Sequence, residues 1–468
     1  MLNITVKEII NIVGGKLLSG DLNQYGDSVI NNAAFDSRKT DAKSLFVPIV
    51  GEHVDAHRFI SQVFGGDCVV SFTEKEEVDY EGCKILIKVD NTVKAVQKLA
   101  VYERSKINIP VIAVTGSVGK TTTREMITAA LSAQKKVYST KGNSNSQIGV
   151  PKTVFEFDDD ADIAVLELGM SMPGEMQELA RVAKPNTVAF TNIGVTHIEN
   201  LGSRENILSE KMHITDYMQN GERVFLNGDN DLLSVCSVRD GLEASYYGYN
   251  QKNDAYVVSV DKESVLPKFV ACINGKRVNV ELSVYGQHMI MNALLALSIA
   301  DYYDVDIQAA ASKLKDFNGY KHREQIIMTS GVTIIDDTYN AAPDSVKSAI
   351  NVLSEIPCDG RRIAILADMK ELGDISEVAH KEIGKYAKQK GINALISYGE
   401  LAMGYTEGFG GTKCHHYDNI DELEKGLYES VRQGDVLLFK GSNSMKLFDL
   451  VDKVSKHEFK TVLEHECK

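Results

Sequence analysis

The chain has 468 residues, of which 43% are hydrophobic and 25% are charged, and its formal net charge is -14. At roughly 100–200 residues per domain this length predicts about three domains, each with enough chain to bury a core. The acidic balance argues against a general nucleic-acid-binding protein, because phosphate backbones require basic surface, but a local basic cluster could still bind an anionic small molecule.

The seven cysteines include no CxxC pair, so neither a disulfide framework nor a zinc knuckle is predicted. Reduced thiols in a cytoplasmic protein are the simplest interpretation. The first residues, MLNITVKEIINIVGGKLL, lack the basic and apolar regions of a signal peptide. No apolar run approaches the ~20 residues that a membrane span needs, so no membrane contact is expected.

Residues 1–107 are predicted to form a small α/β domain. The segments SLFVPIVG (44–51) and CKILIKV (83–89) are typical of strands bounded by polar residues. Residues 92–106 predict an amphipathic helix. Its apolar face carries Val93, Val96, Leu99 and Tyr102. Pro110 then marks a plausible domain boundary.

Residues 108–322 repeat a strand, a glycine loop and a helix, which predicts a central α/β domain. The runs VIAVT, DIAVLEL, TVAFTNI and RVFLN are typical of buried parallel strands covered by helices on both faces. The alternating segments DAYVVSV, KFVACI and RVNVELSV indicate a small antiparallel subdomain. Residues 289–303 predict a helix.

Residues 323–468 restart the pattern, which predicts a separate, doubly wound Rossmann-like domain. Its predicted strands are VTIIDD, RIAILAD, NALISYG and DVLLFKG, and a helix is expected at SVKSAINVLSEI.

Several of the predicted strands end in polar side chains. These are Thr115, Glu167, Thr191, Asn192, Asp336, Asp337, Asp368 and Lys440. Ligands of open α/β sheets bind outside the carboxyl ends of the strands, so these residues outline a candidate active-site rim.

The segment VIAVTGSVGKTTTREMI (111–127) predicts a phosphate-binding loop. Backbone N–H groups of such a loop and the following helix N-terminus surround an anion. Lys120 would reach the β- and γ-phosphates of ATP, and the Thr121 hydroxyl would ligate Mg²⁺. The usual pattern has a glycine where Val114 stands. The alternative is a tight βα turn with a surface lysine.

Further metal ligands are open to two interpretations. Glu167 is a plausible Mg²⁺ ligand or a solvated strand-end glutamate. His197 is a ligand or a structural histidine. Lys211, considered alone, is a surface residue. His53 and His57 have helical spacing that suits a metal, although no third ligand is evident.

Ten segments together resemble the Mur ligases over nearly the whole chain. They are FDSRKTDAKSLFVPIVGEHVDAHRFI, TGSVGKTTTRE, LELGMSMPGEM, TNIGVTHIENLGS, SEKMHI, GQHMIMNALLA, GYKHREQ, DDTYNAAPDSVKSAI, LADMKELGDISEVAH and LFKGSNSMKL. Single motifs of this kind are weak, but motifs that keep their order across domains are specific. The chain departs from the family pattern at Ser146, Ala342, Ala367 and Pro48, and has DAKS where a Pro-Gly-Asp turn is usual.

The resemblance implies a set of site residues. Nucleotide contacts would come from Gly116, Ser117, Gly119, Lys120, Thr121, Thr122, Asn292, Arg323 and Asp337. Two Mg²⁺ ions would be held by Thr121, Glu167, His197 and a carbamylated Lys211. Substrate contacts would come from Ser37, Arg38, Asn145, Tyr339 and Asn340. Lys120, Lys211, His197 and Glu167 would act in catalysis.

The resemblance also implies a reaction. ATP would convert a carboxylate of UDP-N-acetylmuramoyl-tripeptide to an acyl phosphate, and D-alanyl-D-alanine would displace phosphate. A monomer is expected. Two alternatives stay open at this point: a ligase of the same superfamily, such as a folylpolyglutamate-synthase-like enzyme, that adds a different amine, and a P-loop protein that uses ATP as a conformational switch.

Overall fold

The computed structural model describes residues 2–51, 54–77, 82–158 and 160–459. The chain is an α/β protein of three domains, each built around its own main sheet. In these described ranges no helix is both long and apolar enough to cross a membrane.

The main sheet of the N-terminal domain has the order β2-β7-β6-β5-β4, and β1 pairs separately with β3. The strands are β1 (Ile4–Thr5), β2 (Lys16–Gly20), β3 (Val29–Ile30), β4 (Asn32–Ala34), β5 (Ser44–Phe46), β6 (Val70–Thr73) and β7 (Ile85–Lys88), and the helices are α1 (Val6–Val13), α2 (Leu22–Tyr25), α3 (Ile60–Phe64) and α4 (Thr92–Ser105). The two predicted strands correspond to β5 and β7. The predicted helix is α4, and the Asn91 side chain caps it by accepting the Lys94 N–H.

The central sheet has the order β16-β15-β14-β13-β12-β11-β8-β10-β9. Its strands are β8 (Val111–Thr115), β9 (Val137–Ser139), β10 (Ile163–Glu167), β11 (Thr187–Phe190), β12 (Arg223–Asn227), β13 (Glu243–Gly248), β14 (Ala255–Val260), β15 (Lys268–Ile273) and β16 (Lys276–Glu281). Its helices are α5 (Lys120–Leu131), α6 (Gly149–Phe155), α7 (Glu175–Ala183), α8 (Ile198–Leu201), α9 (Arg204–Met212), α10 (Met289–Tyr302) and α11 (Ile307–Lys315). The predicted parallel strands β8, β10, β11 and β12 are confirmed.

The alternating segments at β14 to β16 are antiparallel, as predicted. β14 pairs in parallel with β13 through Tyr247 and Ala255, so the hydrogen-bonded ladder continues from the central sheet. α10 and α11 pack their apolar residues against these strands in one shared core. The antiparallel strands therefore extend the central sheet, a connection that alternation alone does not predict because it indicates which face is exposed and not which strand is the neighbour.

The strand order of the central sheet places its binding crevice beside β8. β8 lies between β10 on one side and β11 on the other, and the chain crosses from β10 past β8 to reach β11. At such a switch point the loops after adjacent strands diverge and leave space for a ligand. The predicted phosphate loop follows β8.

The C-terminal sheet has the order β17-β18-β22-β19-β20-β21, parallel except for β17. Its strands are β17 (Gln325–Met328), β18 (Thr333–Asp337), β19 (Arg362–Ala367), β20 (Ala394–Tyr398), β21 (Cys414–Tyr417) and β22 (Val436–Lys440). Its helices are α12 (Pro343–Glu355), α13 (Ser376–Gln389), α14 (Met403–Phe409), α15 (Ile420–Ser430) and α16 (Leu447–Val454). The four predicted strands are confirmed; β17 and β21 lie at the edges and are too exposed to show a buried run.

The three domains are joined in two different ways. The N-terminal and central domains share one apolar core, in which Leu99 of α4 lies with Val154 and Leu179. The C-terminal domain has cores of its own, and Val195 and Tyr285 pack against one of them from the central domain. The first two domains therefore form one apolar unit, while the third contacts it over a smaller apolar area.

Candidate active site

A cavity of about 460 Å³ lies between the central and C-terminal domains, at the carboxyl ends of their strands. Its wall includes Ser117, Gly119, Lys120, Thr121, Thr122, Asn145, Glu167, His197, Asn292, Arg323, Asp337, Tyr339 and Asn340. The tertiary structure thus gathers most of the predicted site residues at one place. Gly116 and Lys211 are not on the wall, and Ser37 and Arg38 lie at a second cavity.

The loop after β8 has the backbone of an anion site. Gly116 has φ 143° and Gly119 has φ 84°, conformations that favour glycine. A Cβ atom at Gly116 would lie 2.0 Å from the Thr191 hydroxyl. No side chain caps the start of α5, so its first N–H groups face the loop and can bind an anion.

Two residues beyond β11 hold this loop in place. The Asn192 carbonyl accepts the Ser117 N–H at 2.9 Å, and its side-chain oxygen accepts the Val118 N–H at 2.9 Å. The Ser117 hydroxyl in turn accepts the Gly194 N–H at 2.9 Å. The sequence marked Asn192 only as a polar strand end, because no local pattern links residues so far apart.

Lys120 is folded back onto the loop. Its Nζ donates to the carbonyls of Gly116 at 2.9 Å and Ser117 at 3.3 Å. Burial lowers the pKa of Lys120, and the nearby Glu167 partly opposes that shift. A phosphate in the loop would offer this ammonium a better partner than two neutral carbonyls.

The carboxylate of Glu167 is the centre of a buried hydrogen-bond network. Its Oε2 accepts from the Thr121 hydroxyl at 2.7 Å and from Arg124 at 3.3 Å, and its Oε1 accepts from Asn145 at 2.7 Å. Glu167 is only 1% exposed. It is therefore not a solvated strand-end residue, and Asn145 contacts it directly.

Arg124 is a site residue that sequence reasoning missed. It is fully buried, donates to Gly142 O at 2.9 Å, and pairs with Glu125 as well as Glu167. One signal was available, because Arg124 lies four residues after Lys120 and hence on the same face of α5.

His197 and Lys211 differ in what surrounds them. The Nδ1 atom of His197 lies 2.5 Å from Glu371 Oε2, within ion-pair distance. This contact lowers the pKa of Glu371.

Lys211 is 1% exposed, so the expectation that this residue, considered alone, lies on the surface was wrong. Burial, and then the nearby Lys120, lower the pKa of Lys211 well below its usual value.

The domain junction contributes a second group of polar side chains. The guanidinium of Arg323 lies 3.9 Å from the ring centre of Tyr339, and its buried Nε has no hydrogen-bond partner among the described residues. Asp337 pairs with Lys440 of the adjacent strand, and burial raises the pKa of Asp337 to about 6. The Asn292 side-chain oxygen accepts from the Thr123 hydroxyl at 3.1 Å, which fixes it beside the loop.

Ser37 and Arg38 line a separate cavity of about 560 Å³ in the N-terminal domain. The Arg38 guanidinium makes a two-pronged ion pair with Asp36, at 2.9 and 2.8 Å. A ligand phosphate here would compete with Asp36 for the guanidinium.

The histidine pair His53 and His57 finds no support as a metal site. His53 lies outside the described residues, and both ring nitrogens of His57 have protein partners, Asp55 and the Glu74 N–H. Among the residues that are described, no group of three His, Cys, Asp or Glu side chains could hold a metal ion. The six cysteines in those ranges are all free thiols, as predicted; Cys467 lies outside them.

Comparison with known families matches two parts of the chain. The Mur ligase middle domain matches residues 114–300, and the Mur ligase glutamate ligase domain matches residues 322–443. Both matches contain residues of the cavity between the domains.

Several curated proteins are similar over almost their full length. The UDP-N-acetylmuramoyl-tripeptide--D-alanyl-D-alanine ligase of Bacillus subtilis (strain 168) is 35% identical, covering 96% of this chain and 98% of its own. The enzyme of the same name from Escherichia coli (strain K12) is 29% identical, with the same two coverages of 96% and 98%.

Solved structures of similar proteins have the same fold as this chain. A crystal structure of MurF from Acinetobacter baumannii superimposes with a TM-score of 0.87 at 26% identity, covering 97% of this chain and 99% of its own. The MurF ligase of Thermotoga maritima in complex with ADP has the same fold, with a TM-score of 0.80 at 24% identity over 91% of this chain and 97% of its own.

Proposed function

The chain belongs to the Mur ligase family, and from that premise we propose that it is an ATP-dependent ligase of peptidoglycan precursor synthesis. It joins the amine of D-alanyl-D-alanine to UDP-N-acetylmuramoyl-tripeptide. The support is the 35% identity to a ligase of that name over 96% of the chain. ATP as substrate and free thiols are both consistent with a cytoplasmic location.

The reaction needs ATP because a carboxylate oxygen is a poor leaving group. The tripeptide carboxylate attacks the γ-phosphorus of ATP, which releases ADP and leaves an acyl phosphate. The amine of D-alanyl-D-alanine then attacks the acyl carbon, losing a proton as the amide forms and phosphate departs. The negative charge that develops during phosphoryl transfer must be balanced by fixed positive groups.

Within the structure, one observation carries the proposal: the loop after β8 holds an ammonium and free N–H groups beside the buried carboxylate of Glu167. Lys120 and the start of α5 are suited to hold the phosphates. Arg323 supplies a second positive group at the same cavity. Its unpartnered buried Nε is consistent with a phosphate contact.

The residues fit Mg²⁺ at one position. The Thr121 hydroxyl and the Glu167 carboxylate lie 2.7 Å apart, and oxygen atoms are the ligands that Mg²⁺ prefers. Bound there, Mg²⁺ would offset charge on the phosphates. Asn145 and Arg124 keep the Glu167 carboxylate oriented toward Thr121.

Lys211 suits carbamylation, which would create the second proposed metal site with His197. Its side chain is 1% exposed, so burial withdraws the amine from water. Its lowered pKa favours the neutral amine, which can add to carbon dioxide to give a carbamate and one proton. The product is anionic and offers oxygen ligands, whereas an ammonium beside Lys120 would repel a metal.

Carbamylation can be tested directly. Protein equilibrated with ¹³C-bicarbonate should show a carbamate carbon resonance that is absent from Lys211→Ala and retained in Lys141→Ala, whose side chain is 76% exposed. Lys211→Ala should also lose ligation while folding normally. Normal turnover by Lys211→Ala would rule out this role.

The remaining roles follow the positions of the side chains around the cavities. Asn292 would contact adenine and Asp337 the ribose, while Tyr339 and Asn340 would face the acceptor. Ser37 and Arg38 would hold the UDP-sugar at the N-terminal cavity.

Phosphate release from ATP tests the function as a whole. It should require both UDP-N-acetylmuramoyl-tripeptide, made with lysine or with diaminopimelate at its third residue, and D-alanyl-D-alanine. Release with neither substrate would point to an ATP switch, and release with another amine would point to a ligase of different acceptor. Purified Lys120→Ala serves as the control for contaminating ATPases.

A further inference from the structure

Glu371 belongs to the C-terminal domain, yet its carboxylate contacts His197, which lines the cavity from the central domain. It lies in the loop between β19 and α13, and its Oε2 is 2.5 Å from His197 Nδ1. The Glu371 carbonyl also accepts the Glu199 N–H at 3.4 Å. A Cβ atom on Gly373 would lie 3.5 Å from Glu199, so this loop packs directly on α8.

Both residues of the contact hold left-handed backbone conformations. His197 has φ 66° and Glu371 has φ 63°, and neither is glycine. Such conformations persist only where surrounding contacts enforce them, and they concentrate at functional sites. Because both residues of this interdomain contact are strained, we infer that the contact has a function.

The chemistry of the contact is that of a carboxylate supporting a histidine ligand. Glu371 Oε2 contacts the Nδ1 side of the His197 ring. With Nδ1 held by a carboxylate, Nε2 carries the lone pair that a metal requires, and the ring gains basicity. The same carboxylate is near enough to Lys120 of the phosphate loop for their opposite charges to attract.

We propose that Glu371 is a positioning residue that the C-terminal domain contributes to the metal site, and that its contact with His197 couples domain closure to metal binding. The inference rests on the proposed function, since His197 is a metal ligand only within that proposal. Closure delivers the carboxylate, and a correctly oriented imidazole then favours the bound metal. By reciprocity, metal binding favours the closed state.

The test compares Glu371→Ala and Glu371→Gln with the wild type. Glu371 is 46% exposed, so neither change opens a core cavity. Glu377→Gln is the matched control, because it removes an exposed carboxylate of the same domain that pairs with Lys381. Two quantities are measured: the Mg²⁺ dependence of ligation, and the fall in radius of gyration when ADP and Mg²⁺ are added together.

Glu371→Ala should raise the Mg²⁺ concentration for half-maximal rate about 10- to 100-fold, the usual effect of losing a carboxylate behind a histidine ligand. It should also lose most of the Mg²⁺-dependent compaction. Glu371→Gln should show a smaller rise in Mg²⁺ requirement, because its amide oxygen can still accept from Nδ1 but carries no charge. Glu377→Gln should match the wild type in both measurements.

A Glu371→Ala protein whose Mg²⁺ requirement and compaction equal those of the wild type would overturn the proposal. So would a loss of kcat that is equal at every Mg²⁺ concentration. If the wild type fails to ligate D-alanyl-D-alanine, the proposed function fails, but scattering with ADP and Mg²⁺ still decides the role of Glu371.

Discussion

At the scale of single residues, the site depends on charges that are buried but partnered. Glu167 is almost completely buried, and three side chains donate to its two oxygens. A buried carboxylate is costly unless it is hydrogen-bonded in this way. Lys120 is different, because its present partners are carbonyls of its own loop.

Replacement of Lys120 by alanine should therefore leave the fold intact and abolish ligation. Removing a group that stabilises transition-state charge costs at least about 100-fold in kcat. Steady-state phosphate release and a thermal melt measure the two effects, with Lys141→Ala as the exposed-lysine control. Retention of more than a tenth of wild-type kcat would contradict the assigned role.

At the scale of elements, the strand–loop–helix unit formed by β8 and α5 depends on backbone conformation. Gly116 and Gly119 supply positive φ angles, and the uncapped start of α5 supplies N–H donors. The site therefore depends on glycines as much as on charged side chains.

Gly116→Ala should weaken nucleotide binding and destabilise the loop. The new Cβ atom would meet the Thr191 hydroxyl at 2.0 Å, and a strained backbone of this kind costs of order 1–3 kcal/mol. Calorimetric titration with ADP should show at least a tenfold loss of affinity. Gly66→Ala has no neighbour closer than 3.5 Å and should bind ADP normally.

Helix α13 carries a buried histidine that makes stability depend on pH. His380 accepts the Met369 N–H through Nε2 and donates from Nδ1 to the Ser376 carbonyl, which fixes the neutral ring. Burial lowers the pKa of His380 below 6.5. As pH falls through about 6.5, the unfolded chain takes up a proton that the folded ring resists, so stability is present above this pH and lost below it.

Between pH 7.5 and pH 5.5 this one group should reduce the free energy of unfolding by at most about 1.4 kcal/mol. Urea titration of the wild type and His380→Gln at both pH values isolates the effect. The wild type should lose more stability than the variant on acidification, while exposed His415→Gln should behave like the wild type. Equal losses in the wild type and His380→Gln would contradict the prediction.

At the scale of the whole molecule, the cavity lies between two parts of the protein. One part is the N-terminal and central domains, which share an apolar core, and the other is the C-terminal domain. The side-chain contacts across this division include His197 with Glu371 and His288 with Glu324, which are 2.5 and 3.0 Å long. Polar contacts between domains exchange readily with water, so relative motion is the default expectation. Phosphoryl transfer, by contrast, requires a closed site that excludes water.

A non-hydrolysable ATP analogue and UDP-N-acetylmuramoyl-tripeptide, added together, should therefore compact the protein. Small-angle scattering should show a smaller radius of gyration than for the free protein or for either ligand alone. An unchanged scattering curve with both ligands would count against domain closure.

Local patterns determined much of this protein: three α/β domains, the phosphate loop, and the polar residues that end the strands. Strand periodicity, glycine spacing and a following helix are properties of a few adjacent residues, so they can be read without the fold. The boundaries proposed after residues 107 and 322 rest on the same kind of pattern.

Only the tertiary structure decided which side chains meet. It joined β14 to the central sheet, buried Lys211, paired Glu167 with Arg124, and brought Glu371 of one domain to His197 of another. The physical reason is that a side chain's partner depends on strand order and domain packing. Those are set by burial and hydrogen bonding over the whole chain, and no local spacing encodes them.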